Sequence, residues 1–223
     1  MTARTLFVTG TDTEVGKTRI ACALLRGLVA AGACAVGYKP VASGCESTAN
    51  GLRNDDALAL VAAGSPGFGY DQVNPYAFEP AIAPHIAAAD AGVTIDPIRL
   101  DAGHAALAAG ADWVVVEGAG GWHVPLNETL DFAGWASGHA WPVILVVGMR
   151  LGCVNHAVLS ARAIAATTTL AGWVANTLAP RQPRLADNLA CLDRAMPMPH
   201  SVQVALDPPA DLALDPRPWL VCG

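Results

Sequence analysis

The chain predicts an α/β fold: a mostly parallel β-sheet with helices on both faces, stacked as a three-layer sandwich. Three observations predict it. Short apolar runs rich in valine alternate with helical patterns of roughly ten to fifteen residues, the signature of βαβ units. Hydrophobic residues make up 53% of the 223 positions and charged ones only 14%, which suits a sheet buried on both sides. A polar loop flanked by glycines joins the first apolar run to the first helical one. A chain of this length is most economically one domain, residues 1–223, with room for a sizeable core.

The strands are expected at residues 6–9, 34–39, 113–117, 142–147 and 170–176. Helical patterns fall at 17–31, 55–63, 97–109, a short one at 132–137, and 153–166. Residues 64–84 are rich in Gly, Pro and aromatics (Tyr70, Tyr76, Phe78) and read as an ordered but irregular insertion. From Pro180 onward the pattern weakens. Pro197, Pro199, Pro208, Pro209, Pro216 and Pro218 rule out long helices there.

Composition narrows the classes. The net charge is −6 and the 13 Lys and Arg are scattered, which argues against a nucleic-acid groove or an anionic membrane surface. The first residues carry no apolar core long enough for a signal peptide. The strongly apolar run at residues 143–147 is far too short to span a bilayer. Cys22, Cys34, Cys45, Cys153, Cys191 and Cys222 show no C-x-x-C spacing and are expected as small core hydrophobes in a reducing compartment. The expectation is a soluble cytoplasmic protein.

The most informative segment is Gly10-Thr-Asp-Thr-Glu-Val-Gly-Lys-Thr18, set between a strand and a helix. A phosphate-binding loop needs that context: loop amides and the helix N-terminus point donors at phosphate oxygens, Lys17 adds a charge, and Thr18 offers a hydroxyl to Mg²⁺. Five residues separate Gly10 from Gly16, so a strict G-x4-G-K-T pattern would put Thr11 where its first glycine belongs. Ligands of such sheets collect at the carboxyl ends of the strands. Lys39 and Ser43 follow the second strand, where the lysine is either a functional cation or a solvated charge. Asp55-Asp56 opens a helix, as metal ligand or simply as a favourable charge for the macrodipole. Glu117 ends a valine strand and is followed by Gly118-Ala119-Gly120-Gly121, as in metal-facing strands of P-loop enzymes. Gly152-Cys-Val-Asn155 opens another helix, as an anion site or as a cap made by Asn155. The six histidines lack ligand spacing, and no Ser-His-Asp or Cys-His set is apparent. The chemistry expected is phosphoryl transfer governed by position and charge.

These motifs, with Gly37-Tyr-Lys-Pro-Val-Ala-Ser-Gly44, Gly51-Leu-Arg-Asn-Asp-Asp-Ala-Leu58 and Gly172-Trp-Val-Ala-Asn176, resemble the dethiobiotin synthase family from about residue 6 to residue 176. The resemblance implies a P-loop NTPase-like fold and an ATP-dependent, Mg²⁺-requiring homodimer acting on 7,8-diaminononanoate and CO₂. It implies Lys17 and Lys39 as catalytic cations, with Thr18, Asp56 and Glu117 around the metal. Thr13, Glu14, Val15, Gly16, Gly118, Ala119 and Gly120 would line the nucleotide, and Asn176 would read its base. Thr13 and Ser43 would contact the diamine and its carbamate, while Asn155 with its helix N-terminus would hold the substrate carboxylate across the dimer. The family's base-pocket run, Pro-Leu-Gly-x-Ile-Pro, is replaced here by Pro199-His-Ser-Val-Gln-Val-Ala-Leu206, which leaves base selectivity open. Two other readings share the loop and sheet. One is an amide-forming synthetase, which would normally carry an added glutaminase domain. The other is a partitioning-type switch ATPase, which usually has a second lysine early in the loop.

Overall fold

The structure is a computed structural model that describes residues 3–198 and 200–220. Pro199 and Cys222, both named above, lie outside the described residues. Among the described residues, ten strands and eight α-helices follow one another as β1 (Arg4–Gly10), α1 (Lys17–Ala30), β2 (Ala35–Tyr38), β3 (Val41–Ala42), β4 (Glu46–Thr48), β5 (Gly51–Arg53), α2 (Asp55–Ala63), α3 (Tyr70–Val73), β6 (Tyr76–Ala77), α4 (Pro84–Asp90), α5 (Pro97–Ala108), β7 (Trp113–Glu117), α6 (Phe132–Gly138), β8 (Val143–Met149), α7 (Cys153–Ala165), β9 (Leu170–Thr177), α8 (Leu185–Ala195) and β10 (Val202–Val204). Six strands form one sheet in the order β10-β9-β8-β1-β7-β2, with every neighbouring pair parallel.

Adjacent residues of β2 show the three layers, because successive side chains on a strand leave opposite faces. A methyl group built on Gly37 would stand 2.7 Å from the Cβ of Leu60 in α2 and 3.3 Å from Leu25 in α1. Only glycine lets those helices approach so closely. The next residue, Tyr38, points the other way: its hydroxyl donates to the Leu100 carbonyl of α5 at 2.9 Å, and its ring meets Trp135 of α6. The central strands have no polar face to offer. Leu6, Phe7, Val8, Val114, Val115, Val116 and every residue from Val143 to Val147 are fully buried.

All five expected strands form, most within a residue or two of the expected bounds, and so do the five helices. The ends of the chain and its insertion differ more. Residues 64–84 contain α3 and β6, which pairs with β3 in a small second sheet. An 11-residue helix, α8, forms beyond Pro180, in the space between Pro183 and Pro197, and β10 extends the main sheet. Proline bounds these elements without excluding them. Of the cysteines, Cys22, Cys45 and Cys153 are buried as expected, whereas Cys34 and Cys191 are only partly so.

Candidate active site

Sheet register gathers the functional residues at the carboxyl ends of neighbouring strands. Phe7 pairs with Val116 and Val8 with Glu117, while Tyr38 pairs with Val116, so the next residue, Lys39, emerges alongside Glu117. On the other side of β1, Gly10 pairs with Val146 and, farther out, Gly148 pairs with Asn176. The loop from Gly10 to Gly16 therefore leaves the middle of the sheet between these groups.

The loop is held in a conformation that ordinary residues avoid. Gly16, which caps α1, has φ of +90°, and a methyl group there would lie 2.2 Å from the Asn176 amide nitrogen. Glu14 also takes a left-handed conformation, φ +56°, with a side chain that glycine would spare. Asn176 is fully buried and donates its amide to the Val15 carbonyl at 2.8 Å, leaving its own oxygen buried without a partner. Val15 packs in the core. Lys17 donates to the Asp12 carbonyl at 2.9 Å, and Asp12 forms an ion pair with Arg150 at the end of β8.

Beside the loop lies a cluster of two cations, two carboxylates and a hydroxyl. Lys39 donates to Glu117 Oε1 at 2.6 Å and to Asp56 Oδ2 at 3.0 Å. Thr18 donates its hydroxyl to the same Glu117 oxygen at 2.8 Å. Glu117 Oε2 is buried and unpaired, which leaves one strong acceptor unused on the carboxylate that Lys39 and Thr18 share. Asn54, by accepting from the Ala57 amide at 3.2 Å, caps α2 and so sets Asp56 in its first turn.

Burial and charge tune these groups. Burial alone would lower the Lys39 pKa, but Glu117 and Asp56 outweigh it and hold the ammonium above its ordinary range. Burial, with Lys39 nearby, lowers Lys17 to about 8. Burial would raise Asp56, yet the Lys39 ammonium, helped by Thr18, holds that carboxyl below the usual range.

A cavity of about 600 Å³ is lined by Thr13, Glu14, Lys17, Lys39, Ser43, Asp56, Ala119 and Gly120 among others. Thr18 instead lines an adjacent cavity of about 400 Å³ with Arg19 and the segment from Leu206 to Ala210. Gly118 uses its amide on the Val8 carbonyl at 3.1 Å, so it supports the strand end and offers no free donor. Asn155 is exposed and lines a third cavity of about 970 Å³, which meets the first only at Glu14. It does not cap α7. The cap is Gly152, at φ +93°, with no side-chain hydrogen bond, so the first turn of α7 keeps its amides free of side-chain partners. Asp12, Arg150, Asn54 and Ile82, another residue lining the first cavity, were not singled out by sequence reasoning, because nothing in their spacing signals their contacts.

Fold and site together define a P-loop nucleotide-dependent α/β domain with a lysine–carboxylate cluster at its phosphate loop. A family model described as an AAA domain matches residues 4–205. The ATP-dependent dethiobiotin synthetase BioD of Pseudomonas paraeruginosa (strain DSM 24068 / PA7) is 56% identical over 195 residues, covering 86% of each chain. The ATP-dependent dethiobiotin synthetase BioD 1 of Escherichia coli (strain K12) is 54% identical over 194 residues, again 86% of each. Among solved structures, the septum site-determining protein MinD complexed with Mg-ADP, from Pyrococcus horikoshii OT3, superposes with a TM-score of 0.53 at 14% identity, covering 92% of this chain and 82% of that one, a likeness of fold alone. The chain thus belongs to the family that the AAA-domain model describes and, within it, to the ATP-dependent dethiobiotin synthetases.

Proposed function

We propose that this chain, as one catalytic domain, closes the ureido ring of dethiobiotin from 7,8-diaminononanoate, CO₂ and ATP. The observation that carries the reading is the Lys39–Glu117–Asp56–Thr18 cluster beside Lys17 in a chain more than half identical to curated dethiobiotin synthetases. In the reaction, one amine adds to CO₂ and loses a proton, giving a carbamate. A carbamate oxygen then takes the γ-phosphoryl group, with ADP as leaving group. The second amine attacks the carbamate carbon, expelling phosphate and losing a proton as the ring closes.

The residues of this chain match those demands. Both reactants are anions, so the site must supply positive charge where they meet. Lys39, kept charged by its carboxylate partners, can shift from Asp56 toward the carbamate and the transferring oxygens without being desolvated anew. Lys17 gives up the Asp12 carbonyl for the β- and γ-phosphate oxygens. Ser43 and Thr13 line the same cavity and orient the carbamate. Asn176 keeps the loop in its phosphate-binding shape through the Val15 carbonyl.

Thr18, Asp56 and Glu117 are hard oxygen donors of the kind Mg²⁺ takes alongside phosphate, and the orphaned Glu117 Oε2 supports a cation there. Mg²⁺ at these residues would neutralise charge on the nucleotide phosphates. We further infer a homodimer working in the cytoplasm, with the first turn of α7, which has no side-chain cap, and Asn155 of one protomer holding the substrate carboxylate of the other. The exposed Leu151, at the entrance to that helix, supports an interface there. The relatives do not favour a switch ATPase or another amide-forming synthetase.

Phosphate release tests the reading. With ATP, Mg²⁺ and bicarbonate, release should depend on diaminononanoate and stop when Mg²⁺ is chelated. Release that ignores the diamine would instead fit a switch ATPase.

A further inference from the structure

The cavity that holds Lys17, Lys39 and Asp56 is apolar over much of its wall, where Ala81, Ile82, Ala83 and Pro84 of one segment and Val124 of another line it. Ile82 is the largest apolar side chain of that wall and is 41% exposed, so it leaves apolar surface open to the cavity. The segment that carries it is fixed. The Gly44 amide donates to the Pro80 carbonyl at 3.1 Å, the Cys45 amide to Phe78 at 2.9 Å, and the Ile82 amide back to Pro80 at 2.9 Å. A methyl group on Gly44 would lie only 3.3 Å from the Ala81 side chain. Residues 78–82 are therefore stitched to residues 44–45, next to Ser43, and Ile82 keeps its place over the cavity before the chain enters α4.

We propose that Ile82 is a specificity-determining residue: it supplies the apolar surface on which the methylene chain of the diamine lies while Lys39 and Ser43 engage the reacting end. The inference rests on the dethiobiotin synthetase reading and deepens it. Vicinal amines and a carbamate suit the polar wall, while the saturated chain behind them needs apolar surface, of which Ile82 is the largest single side chain in the cavity. Covering even two methylenes with Ile82 is worth about tenfold in affinity. The contact is the same in ground and transition states, so it acts on KM for the diamine and leaves turnover alone.

The test compares Ile82→Thr and Ile82→Leu with the unaltered chain in steady-state phosphate release. Ile82→Thr is expected to raise KM for diaminononanoate about tenfold, with kcat and KM for ATP within twofold and an unchanged melting temperature. Ile82→Leu, which keeps the apolar surface, should return KM to within about threefold. An unchanged KM for the diamine in Ile82→Thr overturns the inference. So does a parallel loss in kcat and in KM for ATP, which would mean that the residue only braces the loop at Ser43. Both outcomes leave the functional reading standing. If the unaltered chain releases phosphate without regard to the diamine, that reading fails and takes this inference with it.

Discussion

Lys39 and Glu117, 78 residues apart in sequence, form an ion pair of 2.6 Å in which the lysine is 3% exposed and the glutamate not at all. Neither charge has water to fall back on. The pair exists because β2 and β7 are neighbours, with Tyr38 level with Val116, so that the residues just beyond meet at the strand ends. Their burial is costly in isolation, and the site recovers it through three hydrogen bonds shared with Thr18 and Asp56.

Removing one partner should therefore be felt in stability as well as turnover. Lys39→Ala strands Glu117 and should cost about 3–5 kcal/mol, the scale for an orphaned buried charge. Turnover should fall by about two decades or more, the scale for lost charge stabilisation. Adding Glu117→Gln should recover most of the stability and none of the activity. Thermal melts and phosphate release on the two variants and the unaltered chain check it, and a Lys39→Ala protein that melts like the unaltered chain contradicts the buried-pair account.

The lowered pKa of Lys17 gives the activity a basic limb. Its ammonium holds phosphate only while protonated, so kcat/KM for ATP should fall as pH rises through about 8. Stability moves the opposite way. The unfolded lysine titrates near 10.5, so between about 8 and 10.5 the unfolded chain binds more protons and this group's contribution favours folding as pH rises. Lys17→Arg should carry the kinetic limb to higher pH, and a pH profile that does not move on that change would assign the limb elsewhere.

Asn176 tests whether the phosphate loop is held from the neighbouring strand. Asn176→Asp is nearly isosteric but sets a carboxylate against the Val15 carbonyl in place of a donor. A lost, unreplaced bond of this kind costs about 1–3 kcal/mol. The Kd for ATP should rise roughly tenfold or more, measured by calorimetry, while the circular dichroism spectrum stays unchanged. Unaltered nucleotide affinity would mean that the loop keeps its shape unaided.

Far from the site, His104 should make the fold sensitive to acid. Its Nε2 lies 2.9 Å from the Thr5 hydroxyl and its ring 4.6 Å from that of Trp141. Burial, reinforced by His139 and only partly offset by Asp101, lowers it from 6.5 to about 4. Below about 6.5 the unfolded chain takes up a proton that the folded chain refuses, so stability falls from there down to about 4. His104→Gln should flatten that part of a melting-temperature profile. An unchanged profile would show that other groups govern it.

Much of this was legible in the sequence because local chemistry forced it. Gly16-Lys17-Thr18 between an apolar run and an alanine-rich helix has few other uses, and the valine strand ending in Glu117 announced its own burial. Pairing was not legible. Nothing near Lys39 says that Glu117 will stand beside it, since that depends on the order of strands. Asn155 looked as suitable for a cap as for a ligand, and the left-handed Gly152 decides against the cap. Helix α8 was obscured because prolines flank it, although none interrupts it. The wall formed by Ile82 belongs to a loop whose shape comes from bonds to residues 44 and 45, which no periodicity records.

The central claim is that the energy of ATP is spent on joining carbon to nitrogen. Its most direct measurement follows ¹³C-bicarbonate through one turnover with diaminononanoate, ATP and Mg²⁺. The account predicts one labelled carbonyl in a cyclic urea for each phosphate released, with loss of both label and phosphate in Lys39→Ala. Phosphate released at full rate with no label in the diamine would contradict it.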